Sequence, residues 1–265
     1  MGYPLFHVDA FTDCTFAGNP AAVCLLSSWR EDQWLQAVAR EMNLSETAFL
    51  VKQSNHFDLR WFTPKVEVDL CGHATLASAH ILWQQAQVTG DEIQFSTRSG
   101  VLKALRDGKD IELDFPLTPA EAAEAPSGLL EALGVSAKYV GKNQFDYLVE
   151  IESDFALRGI DPDFRRLAVL PVRGIIVTSR SAEPGFDFVS RFFAPASGVD
   201  EDPVTGSAHC CLGDFWSKRL GKTELLAFQA SARGGVVKVR VTKNRAFLGG
   251  KAVTVAKGEL LAVPA

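Results

Sequence analysis

The sequence predicts an α+β protein made of two related domains, each a strongly curved, mostly antiparallel sheet wrapped around one central helix. The first observation behind this is an internal repeat. Arg60-Trp-Phe-Thr-Pro64 returns as Arg191-Phe-Phe-Ala-Pro195, and Gly72-His-Ala74 returns as Gly206-Ser-Ala208 after a longer turn. Upstream, Phe57-Asp58 is answered by Phe186-Asp187. The second is the character of the helices that begin at the two glycines. Leu76, Ala79, Ile81, Leu82 and Trp83 in one, and Ala208, Cys211, Leu212, Phe215 and Trp216 in the other, leave little polar face. Such a helix has to be enclosed, and its Ala, Ser and Gly content lets strands come close. The third is the run of short β-branched and aromatic segments around each helix, bounded by turn residues. A repeat close to half of 265 residues is a duplicated domain, since solenoids repeat every ~20–50 residues.

The elements follow in order. Residues 5–11 and 21–26 read as strands joined through the turn Ala17-Gly-Asn-Pro20. Residues 30–42 are amphipathic at helical spacing through Trp34, Leu35, Val38, Ala39 and Met42, and Asn43 is a natural left-handed stop. Strands are expected at 47–51 and 57–62, then the first central helix, then strands at 92–96, 100–106 and 110–115, the last two around an Asp107-Gly108 turn. Residues 116–126, rich in Pro, Ala and Glu, read as a linker. The second half brings helices at 127–134 and near 163–169 and strands at 147–151 and 174–179. Phe186–Phe193 then leads into the second central helix, with closing strands near 225–230, 236–242, 245–248 and 252–255. The expected domains are residues 1–116, completed by the C-terminal strand 252–265, and residues 117–251.

Composition narrows the function. With 47% apolar and 22% charged residues the chain is of ordinary soluble make-up. A net charge of −5, with no basic run, argues against nucleic acid. No stretch nears the ~18 apolar residues of a membrane span, and the start, Met-Gly-Tyr-Pro, is too polar for a signal peptide. Five cysteines without a Cys-x-x-Cys pair suggest a reduced, cytoplasmic protein.

Two helix N-termini, each opening on a glycine, offer bare backbone N–H groups and partial positive charge to an anion. If a pseudo-two-fold relates the halves, both would face one inter-domain cleft and hold a small carboxylate. The plain alternative is that Gly72 and Gly206 only make tight turns. Glu46 is the leading acid/base candidate. An Asn43-x-x-Glu46 helix cap is the competing reading, but the β-branched and apolar Thr47-Ala-Phe-Leu-Val51 continues as a strand. Arg173 precedes the duplicated strand, so this carboxylate belongs to one half. His73 and its counterpart Ser207 sit at the helix tips, and Asp202 lies in an acidic turn before the second; each could simply cap a helix. Gly221-Lys-Thr223 is no phosphate loop, because Trp216 stands where a glycine is required. No zinc spacing fits Cys71, His73, His209, Cys210 and Cys211, so no metal is expected, and Cys210, Cys211 and His80 read as core.

Four motifs in order, His7-Val-Asp-Ala-Phe11 with Phe16-Ala-Gly-Asn-Pro20, Leu44-Ser-Glu-Thr47, Asp69-Leu-Cys-Gly-His-Ala-Thr75 and Gly198-Val-Asp-Glu-Asp-Pro-Val-Thr-Gly-Ser-Ala208, resemble the PhzF family of phenazine-biosynthesis-like proteins, within the diaminopimelate epimerase fold. The resemblance runs almost end to end. It implies a homodimeric, cofactor-free isomerase in which a glutamate moves a proton between carbons of a small cyclic carboxylic acid. Carried onto this chain, Glu46 is the acid/base, and His73, Asp202 and Ser207 orient substrate and assist proton transfer. Asn19 and the backbone at Gly72 and Gly206 bind it. The wider superfamily's racemases use one cysteine per half; here Cys71 precedes the first helix but the matching turn has no thiol. Two other readings stand beside this one: an epimerase acting on an amino-acid-like substrate through Cys71, and a non-catalytic small-molecule or protein-binding module.

Overall fold

The structure, a computed structural model, describes residues 2–261; the last four residues expected in the C-terminal strand lie outside them. Chain contacts divide the protein into two units, one made of the residues up to Asp114 together with those from Gly249 on, the other of Phe115–Leu248.

The first unit runs β1 (Tyr3–Ala10), β2 (Asn19–Leu26), α1 (Asp32–Met42), β3 (Glu46–Lys52), β4 (Phe57–Phe62), β5 (Glu67–Val68), α2 (Gly72–Gln84), β6 (Glu92–Thr97), β7 (Gly100–Asp107) and β8 (Asp110–Pro116). The second contains β9 (Glu121–Ala122), α3 (Leu129–Leu133), β10 (Ala137–Lys142), β11 (Asp146–Ile151), α4 (Asp154–Arg158), α5 (Phe164–Ala168), β12 (Gly174–Arg180), β13 (Phe188–Ala194), β14 (Val199–Glu201), α6 (Gly206–Leu220), β15 (Glu224–Gln229), β16 (Gly235–Val241) and β17 (Arg245–Gly250). The chain leaves the first unit within β8 and returns within β17. There β18 (Ala252–Leu260) lies antiparallel to β1.

Strand pairing repeats between the units. In the first, β1·β2 is antiparallel, β2·β3 parallel, β3·β4 antiparallel, β4·β6 parallel and β6·β7 antiparallel. In the second, β10·β11, β11·β12, β12·β13, β13·β15 and β15·β16 reproduce that sequence of senses. Outside the first strand of each repeat lies a strand from beyond the repeat, β18 on β1 and β9 on β10. The stretch 116–126 is therefore not a plain linker. Glu121 and Ala122 pair with Lys142 and Gly141, a two-residue strand too short to show in composition.

The α+β expectation is met, and the central helices are enclosed as their apolarity requires. In α2 every residue from His73 to Trp83 except His80 is buried, against β1, β2, β3, β7 and β18. Helix α6 packs on β15 and β16, where a Cβ on Gly213 would come within 2.8 Å of the Val239 side chain. On the opposite sheet face, α1 docks one apolar side: Leu35, Val38 and Ala39 meet Tyr3, Cys24, Leu26, Phe49 and Phe62. It ends at Asn43, whose φ of 51° makes the left-handed stop. The short helices α3–α5 fill that position in the second unit, around Leu133, Leu157 and Leu167. Strand β10 and helix α4 escape the sequence reading. Lys138, Gly141 and Lys142 break the apolar alternation of β10, and a five-residue helix shows little periodicity. Among the described residues no helix is long and apolar enough to cross a membrane.

Burial of imidazoles makes the fold acid-sensitive. Desolvation pushes His209 down to about 4, even though the ring faces the Thr205 carbonyl oxygen at 2.8 Å, and also lowers His80. An unfolded histidine takes its proton near 6.5. From there down to the folded value the unfolded chain binds more protons, so stability falls as pH falls, by about 1.4 kcal/mol per pH unit for each such ring. Urea midpoints should therefore be lower at pH 5 than at pH 7, and His209→Gln should flatten the dependence; a midpoint that rises on acidification would contradict this.

Candidate active site

In the first unit, the polar groups gather where α2 begins. Strands β2 and β3 run parallel, and their first residues, Asn19 and Glu46, lie at the same end of the sheet; Glu46 pairs with Ala21. Gly18 makes the entry to β2 possible: its φ is +64° and a Cβ there would stand 2.2 Å from the Ala10 carbonyl oxygen. Cys71 is the N-cap of α2 but makes no side-chain cap bond, and the first turn carries no acidic residue. His73, in that first turn, is 4% exposed.

The ring of His73 is held at Nδ1. The Asn19 amide nitrogen stands 3.1 Å from Nδ1 and the Cys71 sulfur 3.5 Å from the same atom. An amide nitrogen can only donate, so Nδ1 accepts and the neutral ring keeps its proton on Nε2. Nε2 lies 3.2 Å from Glu46 Oε2, in contact but off the alignment of a hydrogen bond. Burial pushes the imidazole down to about 3, so it is neutral across the physiological range. The Glu46 side chain is 18% exposed. Asn43 ends α1 and Glu46 opens β3, so the two do not form a helix-start capping pair. Nor does His73 cap its helix; it faces Asn19 and Glu46.

The second unit builds a different tip. Thr205 is the N-cap of α6, and its hydroxyl donates to Asp202 Oδ2 at 2.5 Å. Gln229, fully buried at the end of β15, locks this turn: it accepts from the Thr205 N–H at 2.9 Å and donates to the Asp202 carbonyl oxygen at 2.7 Å and to Thr205 Oγ1 at 3.2 Å. Ser207 Oγ accepts from Arg173 Nη2 at 3.0 Å. Thus Asn19, Glu46 and His73 come together with Cys71 and Gly72 in one unit. Asp202 joins Thr205 and Gln229 in the other, beside Gly206, while Ser207 joins Arg173. Sequence reasoning missed Gln229 because nothing in Leu225–Ala230 marks one strand glutamine for the helix start, and it missed what Arg173 touches.

Among the described residues, Glu46, Cys71 and His73 also form a group with three ligand atoms within 4.8 Å of one another. The Nδ1 lone pair that would serve a cation is already faced by the Asn19 amide and the Cys71 sulfur. Cys210 and Cys211 are core residues, and desolvation pushes both thiols up to about 12. Replacing Gln229 by Leu leaves the buried Thr205 N–H without its partner and should cost about 2–3 kcal/mol, read as a lower urea midpoint. An unchanged midpoint would mean that the amide does not hold the turn.

The model of a phenazine biosynthesis-like protein family matches residues 8–258. The chain is 54% identical to an uncharacterised isomerase of Halalkalibacterium halodurans, over 98% of this chain and 99% of that one. It superposes on the crystal structure of a PhzF-family phenazine biosynthesis protein of Enterococcus faecalis with a TM-score of 0.94 at 42% identity, covering 98% and 99% of the two chains. A Pseudomonas aeruginosa structure described as a predicted epimerase matches at a TM-score of 0.75 and 22% identity over 98% and 100%, a likeness of fold. With the family model spanning nearly the whole chain, a relative matched end to end, and the two wrapped helices in place, the protein belongs to the PhzF family of phenazine-biosynthesis-like proteins.

Proposed function

We propose that the protein is a cofactor-independent isomerase of the PhzF type, moving a proton between carbons of a small cyclic carboxylic acid with Glu46 as acid and base. The observation that carries this is the carboxylate of Glu46 beside a desolvated, neutral His73 whose proton lies on Nε2. An imidazolium there would bind the carboxylate as an ion pair and oppose its taking a proton. A neutral ring leaves the carboxylate able to act as a base, and its N–H can donate to oxygen charge that develops on the substrate. Asn19 supports this role by fixing the tautomer. Glu46 takes a proton from a carbon activated by conjugation and returns it to another carbon on the same face. Asp202 and Ser207 are assigned to orienting substrate and assisting transfer, and the backbone at Gly72 and Gly206 to its carboxylate; these assignments rest on the family resemblance.

A second reading has one observation behind it. Cys71 is buried with its sulfur 3.5 Å from His73 Nδ1, a contact that suits a thiol acting in an epimerase. Inactivation by iodoacetamide that substrate prevents, with Glu46→Gln still active, would favour it. We also propose a homodimer, to be checked by light scattering on the eluting protein.

Two outcomes are expected of the main reading. With unsaturated cyclic carboxylic acids in deuterium oxide, wild type should incorporate deuterium at carbon, and Glu46→Gln should be slower by roughly 10²–10⁴-fold, the usual range for a positioned acid/base. Equal exchange rates would remove Glu46 from the mechanism. Because His73 stays neutral, the pH–rate profile between pH 5 and 8 should carry no limb that His73→Asn abolishes, although the variant should be slower by about 10–100-fold. A limb near pH 6.5 that disappears in that variant would show a titrating imidazole instead.

A further inference from the structure

The outer sheet face of the two units is covered differently, and the difference leaves a hollow in the second. In the first unit the eleven-residue helix α1 closes that face, and Leu26, at the end of β2, shares a core with its Leu35, Val38 and Ala39. The parallel registers begin at Ala21 in β2·β3 and at Asp146 in β11·β12, so Ile151 holds the place of Leu26. Over Ile151 there is no long helix. The five-residue helices α3 and α4 stop short of each other, and an open hollow of about 530 Å³ lies between their ends. Both helices run out at glycines on its wall. A Cβ on Gly134 would meet nothing within 4 Å, and one on Gly159 nothing nearer than 3.5 Å.

The lining has two characters. Leu133, Ile151 and Ile160, all core residues, give an apolar floor. Phe155 stands on the rim with its side chain turned out of the core, 90% exposed. The charged groups of the wall are acidic, Glu152 and Asp161. Glu152 is paired with Lys138 at 3.3 Å, whereas Asp161 has no ion-pair partner among the described residues. A hollow of this size falls within the range of small-molecule sites, roughly 300–1,000 Å³. An aromatic face beside a spare carboxylate favours a cation over an anion.

We propose that this hollow is a second ligand site, for an organic ammonium carried on a flat apolar body. The body fills the space between Phe155 and the floor of Leu133, Ile151 and Ile160, and the ammonium pairs with Asp161. Glu46 and His73 belong to the other unit and take no part in this site.

The test is ligand-observed NMR titration of the full chain with 2-phenylethylammonium and its neutral analogue 2-phenylethanol. Wild type should bind the ammonium saturably, at about millimolar concentration for so small a ligand, and more tightly than the alcohol. Ala156 is an exposed residue of the wall, so Ala156→Trp plugs the hollow without entering the core. It should weaken both ligands by about ten-fold or more, with an unchanged urea midpoint. Asp161→Asn should weaken the ammonium by about two- to five-fold, the scale of an exposed ion pair, and leave the alcohol as it was. Glu46→Gln should bind the ammonium as wild type does. No saturable binding by wild type, no preference for the ammonium, or full binding by the plugged variant would overturn the proposal. Loss of binding in Glu46→Gln would place the ammonium at the candidate active site instead. A change of mass on light scattering in Ala156→Trp would make the hollow an interface between copies of the chain, which also overturns it.

Discussion

Burial of α2 on every side is the constraint from which the rest of the first unit follows. A helix with almost no polar face can persist only if strands close around it, and here β1, β2, β3, β7 and β18 do so. Its interior hydroxyls satisfy themselves on the helix backbone: Thr75 donates to the Cys71 carbonyl oxygen at 2.6 Å and Ser78 to that of Ala74 at 2.7 Å. Only the N-terminal end can then present unpaired donors and accept polar neighbours. That is where Asn19 and Glu46 arrive, because β2 and β3 both start there.

The same burial sets the chemistry of His73. Desolvation removes the proton that an exposed histidine near a carboxylate would tend to keep. The Asn19 amide then decides which nitrogen carries the proton that remains. Packing therefore chooses both the charge and the tautomer of the ring next to Glu46.

Duplication preserved the backbone and let the two tips diverge. Strand senses match pair by pair, yet one tip carries a carboxylate and an imidazole while the other carries a guanidinium, a hydroxyl and a glutamine-locked turn. At 174, the position that answers Glu46, the chain has a glycine, and the Phe192 ring occupies the space where a side chain would go.

The fold class, the two-fold repeat, the wrapped helices and Glu46 and His73 as candidates could all be read in the sequence, because apolar content and motif order are local properties of the chain. The two-residue strand β9, strand β10 and the short helix α4 could not, since their stability comes from neighbours distant in sequence and not from their own patterning. Nor could the roles of Gln229 and Arg173, each an ordinary residue on or beside a strand until folding brings it against a helix start. Residue types and their order determined that a carboxylate and a histidine would be present. Only the tertiary structure decided that the histidine is neutral, that its proton faces Glu46, and that Arg173 stands beside Ser207, because protonation and hydrogen-bond partners depend on solvent exclusion and on contacts made across the sheet.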